Sequence, residues 1–504
     1  MACVYGSTQS NFLRAESGWF LFLSHSTPEV QHRTEINLLT KSFNGHHTPI
    51  SFLAEFELAK LVGPHARFWK WRQITAVALL ATMLFLLTRN CGYVLQLSRP
   101  NASLFAVGLT AILIFQGQMR TFVANPFLIR QLFWLIFSLI TLQALVQMVR
   151  RPGENSWLWI AVGASCASLE CFGLGVATVA ATAVGLAGIW LITRHNGSSS
   201  DASKIIIALI SMIALTALHG VFMLKFPFDP PIASSNGWSP QAFLTMSLGY
   251  IPNFVFAIFR GIFSTWWLVP TSKQIPADWP YGVGILLGIG CLIASVTFRS
   301  LKKPTPRNQV RFILHTFSSG FFLAIIALAL GRAWREPSNF NFVDYLTGAR
   351  YLVPGSFALS GMMVELIFLL APRPLVLSVV LNIGLAVCAI VGQLQYARDV
   401  YPKVEPNSMI SHGQAWRAIV AMARECQRAN LPIPNAPMGV LTQEFSPWDL
   451  KLFEPLLCAD LNCPPGTKLQ FVEWPDSMND GPNEYERIPS FVKLRAILRS
   501  GINQ

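Results

Sequence analysis

The chain of 504 residues is 52% hydrophobic and only 12% charged, and its mean hydropathy is +0.45. Soluble proteins carry about 25% charged residues, so this composition excludes an ordinary soluble protein and indicates a polytopic membrane protein. The formal net charge of +13 lies mostly in loops beside apolar segments, where it signals orientation, and no motif for binding RNA or DNA accompanies it.

Residues 1–73 precede the first long apolar segment and are predicted to form a loop region. The sequence does not open as a signal peptide, because no basic start leads from Met1 into an apolar run. The stretch "GWFLFLS" at 18–24 is too short to span a membrane, which takes about 20 apolar residues. If this region is exported, we expect a further helix upstream of Met1.

Ten apolar segments are predicted as membrane-spanning helices of an all-α domain over 74–395. They lie at 74–94, 102–117, 127–148, 157–172, 174–193, 204–226, 281–299, 312–331, 351–372 and 375–395. Segment 243–268 is also apolar, but it contains Pro252 and Arg260 and ends on the pair Trp266 and Trp267. Because Trp favours the headgroup layer, we predict that this segment is interfacial or re-entrant.

Loop charge orients the predicted spans. If 243–268 does not cross, the dense basic stretch "RSLKKPTPRNQVR" and most other loop Arg and Lys residues fall on one face of the membrane. The positive-inside rule places that face in the cytoplasm. The N-terminal and C-terminal segments are then both extracytoplasmic.

Residues 396–504 are predicted to form a small extracytoplasmic domain of α/β or irregular structure. The stretch "SHGQAWRAIVAMARECQRAN" at 411–430 has the apolar spacing of an amphipathic helix. The stretch "KLQFVEW" at 468–474 indicates a short strand. In an oxidising compartment, Cys458 and Cys463 could pair.

Glu16 is the first candidate for chemistry, because it stands just before the aromatic run "GWFLFL". A carboxyl group beside apolar residues loses hydration, so its pKa rises and it can act as a base near neutral pH. Such a site suits a reaction between a lipid and a reactant that comes from water. The alternative is that Glu16 only caps or solvates a loop.

Two pairs of polar residues follow Glu16 before the first span. His46 and His47 are adjacent and lack the i, i+4 spacing that places two imidazoles on one helix face, so we expect acceptor contact or a loop role, with no metal or other cofactor. Glu55 and Glu57 are two residues apart, and such residues on a helix point in different directions. They are therefore not expected to act as an acid pair.

Four short stretches share features with a known family. They are "AESGWFLFL" and "FNGHHTPISFLAEFEL" before the first span, "ASLECFGLGV" between two spans and "GARYLVPG" before a late one. The acid followed by Trp, the Asn-x-His element, the Ser-containing turn and the Arg350–Tyr351 pair resemble the GT-C superfamily of membrane glycosyltransferases, and more closely a poorly characterised bacterial branch of it. The similarity in layout covers most of 10–395. The first stretch has Glu-Ser-Gly-Trp where that family more often has Asp-Asp-Trp.

This resemblance implies an enzyme of the bacterial cytoplasmic membrane that transfers a hexose or pentose from a polyprenyl-phosphate donor to an extracytoplasmic acceptor, which is a glycan, lipid or protein. Glu16 would take the proton of the acceptor hydroxyl, and an arginine would stabilise the leaving lipid phosphate. The substrate-binding candidates on the same face as Glu16 are His46, His47, Arg120, Arg332, Arg350 and Tyr351.

Other interpretations stay open. A transporter or flippase would carry ionisable residues inside the membrane, and Arg130, Glu170 and Glu365 lie in or beside predicted spans. A catalytically inactive relative would bind lipid phosphate without transferring sugar, and Arg350 could simply extend its charge to the membrane interface. The sequence shows no matching halves and concentrates its charge in loops rather than within the spans, which favours the enzyme.

Overall fold

The structure is a computed structural model, and it describes a defined part of the chain. The described ranges are 28–40, 48–63, 66–115, 119–124, 128–195, 199–225, 279–302, 305–335, 353–357, 409–437, 450–474 and 484–502, together with 20, 23–24, 252, 379–380, 383–384, 387 and 391. These residues form a bundle of long apolar helices and a second apolar cluster that combines elements from both ends of the chain.

Two helices precede the bundle, α1 (Pro28–Thr40) and α2 (Pro49–Val62). Proline suits the first turn of a helix because its missing N–H would have no partner there. Helix α2 is followed by Gly63, which has a φ of 65° and donates its N–H to the carbonyl of Ala59. The indole of Trp69 donates to the Gly63 carbonyl at 2.9 Å, which fixes the turn into the next helix.

The helices of the bundle follow in chain order. They are α3 (Ala66–Val94), α4 (Arg99–Ile114), the short α5 (Met119–Ala124), α6 (Ile129–Arg150), α7 (Ser156–Cys171), α8 (Gly175–His195), α9 (Ser199–Lys225), α10 (Trp279–Lys302) and α11 (Pro306–Arg335). Each of the first eight predicted spans overlaps one of these helices. The last two predicted spans and segment 243–268 lie almost wholly outside the described residues.

Three helices among the described residues are long and apolar enough to cross a membrane: Phe68–Val94, Ile129–Arg150 and Ala202–Phe222. Arg99–Ile114 and Gly175–Leu191 are apolar but shorter. Many large apolar side chains on α9 are exposed, as expected for a helix that faces lipid rather than water. The chain is therefore a mostly helical protein with the character of a membrane protein. The prediction of ten spans is not confirmed, because three of the described helices are long and apolar enough to cross a membrane.

Close packing at small residues brings α8 and α11 together in antiparallel fashion. A Cβ on Gly188 would meet the ring of Phe312, and a Cβ on Gly320 would meet Ala181. Trp134 of α6 is buried, with its ring centroid 5.3 Å from that of Phe321. Small residues allow such close approach between apolar helices.

The bundle has two distinct ends. At one end, here called the basic end, Arg150 donates to Asn90 at 2.8 Å, and Arg299 and Arg307 lie close enough to Arg311 for their charges to repel it. At the other end lie the beginnings of α3, α6 and α8 and the ends of α7 and α9. We call this the junction end, because the N-terminal helices contact the bundle there.

The C-terminal region is a small α/β unit. It contains α12 (Met409–Arg428), β1 (Ile433–Asn435), α13 (Glu454–Leu461), β2 (Phe471–Glu473) and α14 (Pro489–Ile502). The two strands pair in parallel, with Ile433 opposite Phe471. The predicted amphipathic helix and the predicted strand are both confirmed as α12 and β2.

The second apolar cluster, here called the terminal cluster, joins the two ends of the chain. From the N-terminal side it contains Phe20, Leu38, Phe52, Phe56, Ala59 and Trp69. From the C-terminal side it contains the buried face of α12, including Trp416, Ile419 and Met422, and residues of α13 and α14. The first and last parts of this chain therefore share one core at the junction end.

Candidate functional site at the junction end

An aromatic stack connects the first two motifs of the sequence to a buried arginine. The ring of Phe20, from "AESGWFLFL", lies 6.1 Å from the ring of Phe52 and 6.5 Å from that of Phe56. Phe52 belongs to "FNGHHTPISFLAEFEL" and carries the guanidinium of Arg130 4.0 Å from its ring centroid. Arg130, in the first turn of α6, is only 5% exposed. An arginine stacked on an aromatic face is held in one orientation.

The third motif reaches the same arginine. Cys171, from "ASLECFGLGV", lies close enough to Arg130 and Glu170 to interact electrostatically with both. Helix α7, which ends at Cys171, also contacts α2. The fourth motif, "GARYLVPG", ends in described residues, and its Val353 is fully buried in the core of the bundle.

Glu170 and His219 form a carboxylate–imidazole pair near the end of α7. Oε1 of Glu170 lies 3.4 Å from Nδ1 of His219 on α9. Within the described residues, Oε2 of Glu170 is buried and has no hydrogen-bond partner. A buried carboxylate oxygen of this kind is open to a proton or to a donor from a substrate.

A bidentate ion pair fixes α2 on the bundle. Arg72 of α3 donates to both carboxylate oxygens of Glu55, at 2.6 and 2.9 Å, and its guanidinium also lies over the ring of Trp69 at 4.5 Å. Glu57 instead accepts from Lys60 at 2.9 Å. The two glutamates therefore have separate partners.

Further polar side chains are buried where α3 enters the bundle. Lys70 is 5% exposed and lies close enough to Arg417 of α12 for the two positive charges to repel each other. Gln73 is fully buried and donates to the carbonyl of Phe122 in α5 at 2.8 Å. The junction end thus carries cationic side chains between the bundle and the C-terminal region, a setting that favours an anionic ligand.

The middle of the bundle differs from its junction end. A cavity of about 40 Å³ lies between α3, α4, α6 and α11. Its lining is apolar except for the hydroxyls of Thr88, Ser138 and Ser318, and no acidic or basic side chain contributes to it. Within the described helices, this cavity therefore has no charged side chain that could line a path for a solute through the bundle.

Comparison with protein-family models, with curated proteins and with solved structures gives no match. The geometry of the junction end therefore has to be interpreted from its own residues and from the motif resemblance.

The predicted site residues fall mostly outside the described part of the chain. Glu16, His46, His47, Arg350 and Tyr351 all lie there. The backbone of Arg120 belongs to α5 and that of Arg332 belongs to α11, but the structure does not describe the side chain of either residue. Their roles stay predictions. Within the described residues, no group of His, Cys, Asp and Glu side chains is arranged to hold a metal ion.

Three residues of the junction end were not among the predicted site residues. The sequence predicts Arg130 and Glu170 only as ionisable residues in or beside spans, where such groups are functional candidates by default. His219 is not among the predicted residues, although a histidine inside a mostly apolar 21-residue segment is the same kind of signal. Together they place a buried cation and a carboxylate–imidazole pair at one end of an apolar bundle.

Proposed function

We propose that this chain is an integral membrane glycosyltransferase of the GT-C type, which transfers a sugar from a polyprenyl-phosphate donor to an acceptor at the junction end. The donor would enter from the bilayer, and the acceptor would arrive from water. Sugar transfer of this kind needs a base for the acceptor hydroxyl and positive charge for the departing phosphate.

The stack of Phe20, Phe52 and Arg130 carries this proposal. It brings the two N-terminal motifs to a buried arginine, and the third motif lies within electrostatic reach of that arginine. Motifs far apart in sequence that gather around one cation are expected of a binding site for an anionic group. A simple structural bundle does not require such a gathering.

Each candidate residue has a role in the proposal. Glu16 is the proposed base, and His46 and His47 contact the acceptor. Arg130 binds the lipid phosphate through its planar guanidinium, which suits phosphate oxygens better than an ammonium group does. The further phosphate- and sugar-binding candidates are Arg120, Arg332, Arg350 and Tyr351.

The membrane arrangement belongs to the same proposal. We infer ten spans in a bacterial cytoplasmic membrane, with the basic end in the cytoplasm and the junction end outside. The lengths of α10 and α11, 24 and 30 residues, suit this arrangement, as does the collection of Arg side chains at the basic end.

The direct test uses the full chain in lipid nanodiscs that contain radiolabelled polyprenyl-phosphate hexose or pentose. We expect transfer of label to a glycan, lipid or peptide acceptor. Glu16→Gln should abolish transfer, whereas Glu57→Gln, which changes an exposed acid of α2, should leave it unchanged. Arg130→Gln should lower transfer about a hundredfold, the size found for removal of one charge-stabilising donor. Arg151→Gln at the basic end is the matched control, and Arg130→Lys should retain part of the activity.

The alternatives give different results in the same preparation. Binding of polyprenyl phosphate without transfer, equally in the wild type and Glu16→Gln, would identify an inactive lipid-phosphate-binding relative. Movement of labelled lipid between the leaflets of sealed vesicles, with no transfer, would identify a flippase. Full activity of Glu16→Gln would remove that residue from the base role.

A further inference from the structure

Two cysteines of the C-terminal region are placed together by the way α13 ends. Asn462 follows the helix with φ 58° and ψ 43°, the left-handed conformation. The N–H of Cys463 donates to the carbonyl of Cys458 at 2.9 Å, and the N–H of Asn462 donates to the carbonyl of Ala459 at 3.3 Å. These two bonds are those of a Schellman motif, in which Cys458 and Cys463 occupy the positions whose side chains contact each other.

The side chains follow this backbone geometry. The Cys458 sulfur lies 4.0 Å from the carbonyl oxygen of Thr467 and close enough to Cys463 for the two thiols to interact electrostatically. Both cysteines are half-buried and reduced in the structure. Two thiols can reach the bonding distance of a disulfide through side-chain rotation when the backbone already holds the two residues close.

We propose that Cys458 and Cys463 form a redox site that closes to an intramolecular disulfide by thiol–disulfide exchange. The oxidant is a small disulfide such as oxidised glutathione. Two S–H bonds are lost and one S–S bond forms, while the two electrons and two protons reduce the oxidant to two thiols. The disulfide covalently joins the last turn of α13 to the loop that leads to β2.

The two thiols have different parts in this exchange. The S–H of Cys458 donates to the carbonyl of Thr467 at 4.0 Å, and burial raises the pKa of this thiol to about 12. Since the thiolate is the nucleophile, we assign the first attack on the oxidant to the other cysteine, Cys463. Cys458 then attacks the mixed disulfide and releases the second thiol.

The experiment equilibrates the purified full chain in detergent with reduced and oxidised glutathione at defined ratios. Free thiols are alkylated, and the peptide containing both cysteines is weighed by mass spectrometry. We expect one internal disulfide, seen as a loss of two hydrogens, while Cys426, which is fully buried in the same region, stays a thiol. Recovery of both cysteines as free thiols, or as two separate glutathione adducts, under oxidising ratios would refute the proposal.

Single substitutions test the order of attack. Cys458→Ser should accumulate a glutathione adduct on Cys463, because the resolving thiol is missing. Cys463→Ser should form much less adduct on Cys458. The reverse pattern would overturn the assigned order, and equal adducts on both would show that the pair does not act together.

Substitutions of Asn462 test whether the helix end is responsible. Asn462→Gly keeps the left-handed conformation and should leave the glutathione ratio at half-oxidation unchanged. Asn462→Val disfavours that conformation and should make the disulfide about tenfold harder to form. Equal ratios in the two variants would disprove the role of the motif, and circular dichroism checks that both variants are folded. None of these results depends on glycosyl transfer.

Discussion

The helix bundle and the terminal cluster are both apolar, but they satisfy their buried polar groups in different ways. In the bundle, hydroxyls bond to nearby backbone, as Ser138 does to the carbonyl of Trp134 and Thr182 to that of Thr178. In and beside the terminal cluster, charged side chains bond or stack between helices, as Arg72 of α3 does with Glu55 of α2 and Arg130 of α6 does with Phe52 of α2. A body in lipid avoids charge, whereas a cluster at the water boundary can use it.

This difference predicts different sensitivities. The bundle should respond to changes in volume and in hydroxyl groups and hardly at all to pH. The terminal cluster should respond to charge removal and pH. Four sets of substitutions test this contrast, each through thermal unfolding of the full chain in detergent.

The largest effect is expected at the ion pair between α2 and α3. Glu55→Ala leaves the guanidinium of Arg72 without its bidentate partner in a site where both side chains are 12% exposed. Removal of one partner of such a pair costs about 3–5 kcal/mol. Glu57→Ala is the matched control, because Glu57 is 50% exposed and its loss should cost about 0.5 kcal/mol or less. Equal losses in both variants would contradict the anchoring role of Glu55.

A glycine in the bundle should give the next largest effect. A Cβ on Gly175 would collide with the backbone of Ser168 and Leu169, which cannot move aside as a flexible side chain can. We expect Gly175→Ala to cost about 3 kcal/mol. Gly163→Ala, on α7, meets nothing within 4 Å and should be neutral or slightly stabilising. Destabilisation by Gly163→Ala equal to that by Gly175→Ala would show that the close turn is not the cause.

A buried hydroxyl should give a smaller effect. Thr178→Val removes the oxygen that accepts from the Trp134 indole at 3.0 Å and leaves that N–H buried without this partner, at a cost of about 2 kcal/mol. Thr182→Val removes only a bond to the backbone of its own helix, although Thr182 is equally buried. It should therefore cost clearly less, and the prediction fails if the two variants melt alike.

The smallest effect is expected from Lys60 and its pH dependence. A hydrogen bond from Lys60 lowers the pKa of Glu35 below its usual 4.5. Burial opposes the charge on Lys60, but hydrogen bonds to Glu35 and Glu57 outweigh it and raise the pKa of Lys60 above 10.5. The stabilisation is therefore present between those values. It is lost as pH falls through the folded pKa of Glu35 or rises through that of Lys60.

The test of this pair compares Lys60→Met with the wild type. At about pH 7, the variant should be less stable by less than about 1 kcal/mol, because the pair is partly exposed. At about pH 3 the two proteins should converge, since Glu35 is then increasingly protonated. A difference that stays constant from neutral to acidic pH would mean that Lys60 acts through its packing over Phe56 instead.

The bundle helices were predictable because a long apolar run is a local property of the sequence. The boundaries shifted mainly where polar residues extend a helix, as at Ala66–Val94, predicted from residue 74. Helix α12 was predictable for the same reason, since its buried face repeats at helical intervals. Strand β1 is not predicted from the sequence, because the stretch "LPIPNAPMG" that contains it has three prolines, yet pairing with a parallel partner makes it a strand.

The junction end was less predictable, because its contacts are set by tertiary structure. No spacing rule links Phe20 to Phe52, Phe52 to Arg130, or Glu170 to His219. Motif resemblance singled out the stretches that contain three of these residues, but it selected Glu16 and the histidine pair within them rather than the aromatic rings. In the two N-terminal motifs, it is the aromatic side chains that make the described contacts near Arg130.

The shared core of the two chain ends has a consequence for biogenesis. Helix α2 and α12 are separated by most of the polypeptide, and at roughly 5–20 residues per second a ribosome needs on the order of 20–70 s to synthesise what lies between them. During that interval, the α12 residues that share a core with Phe52, Phe56 and Trp69 have not yet been synthesised. A nascent chain stalled before α12 would lack the residues that cover those rings in the folded protein.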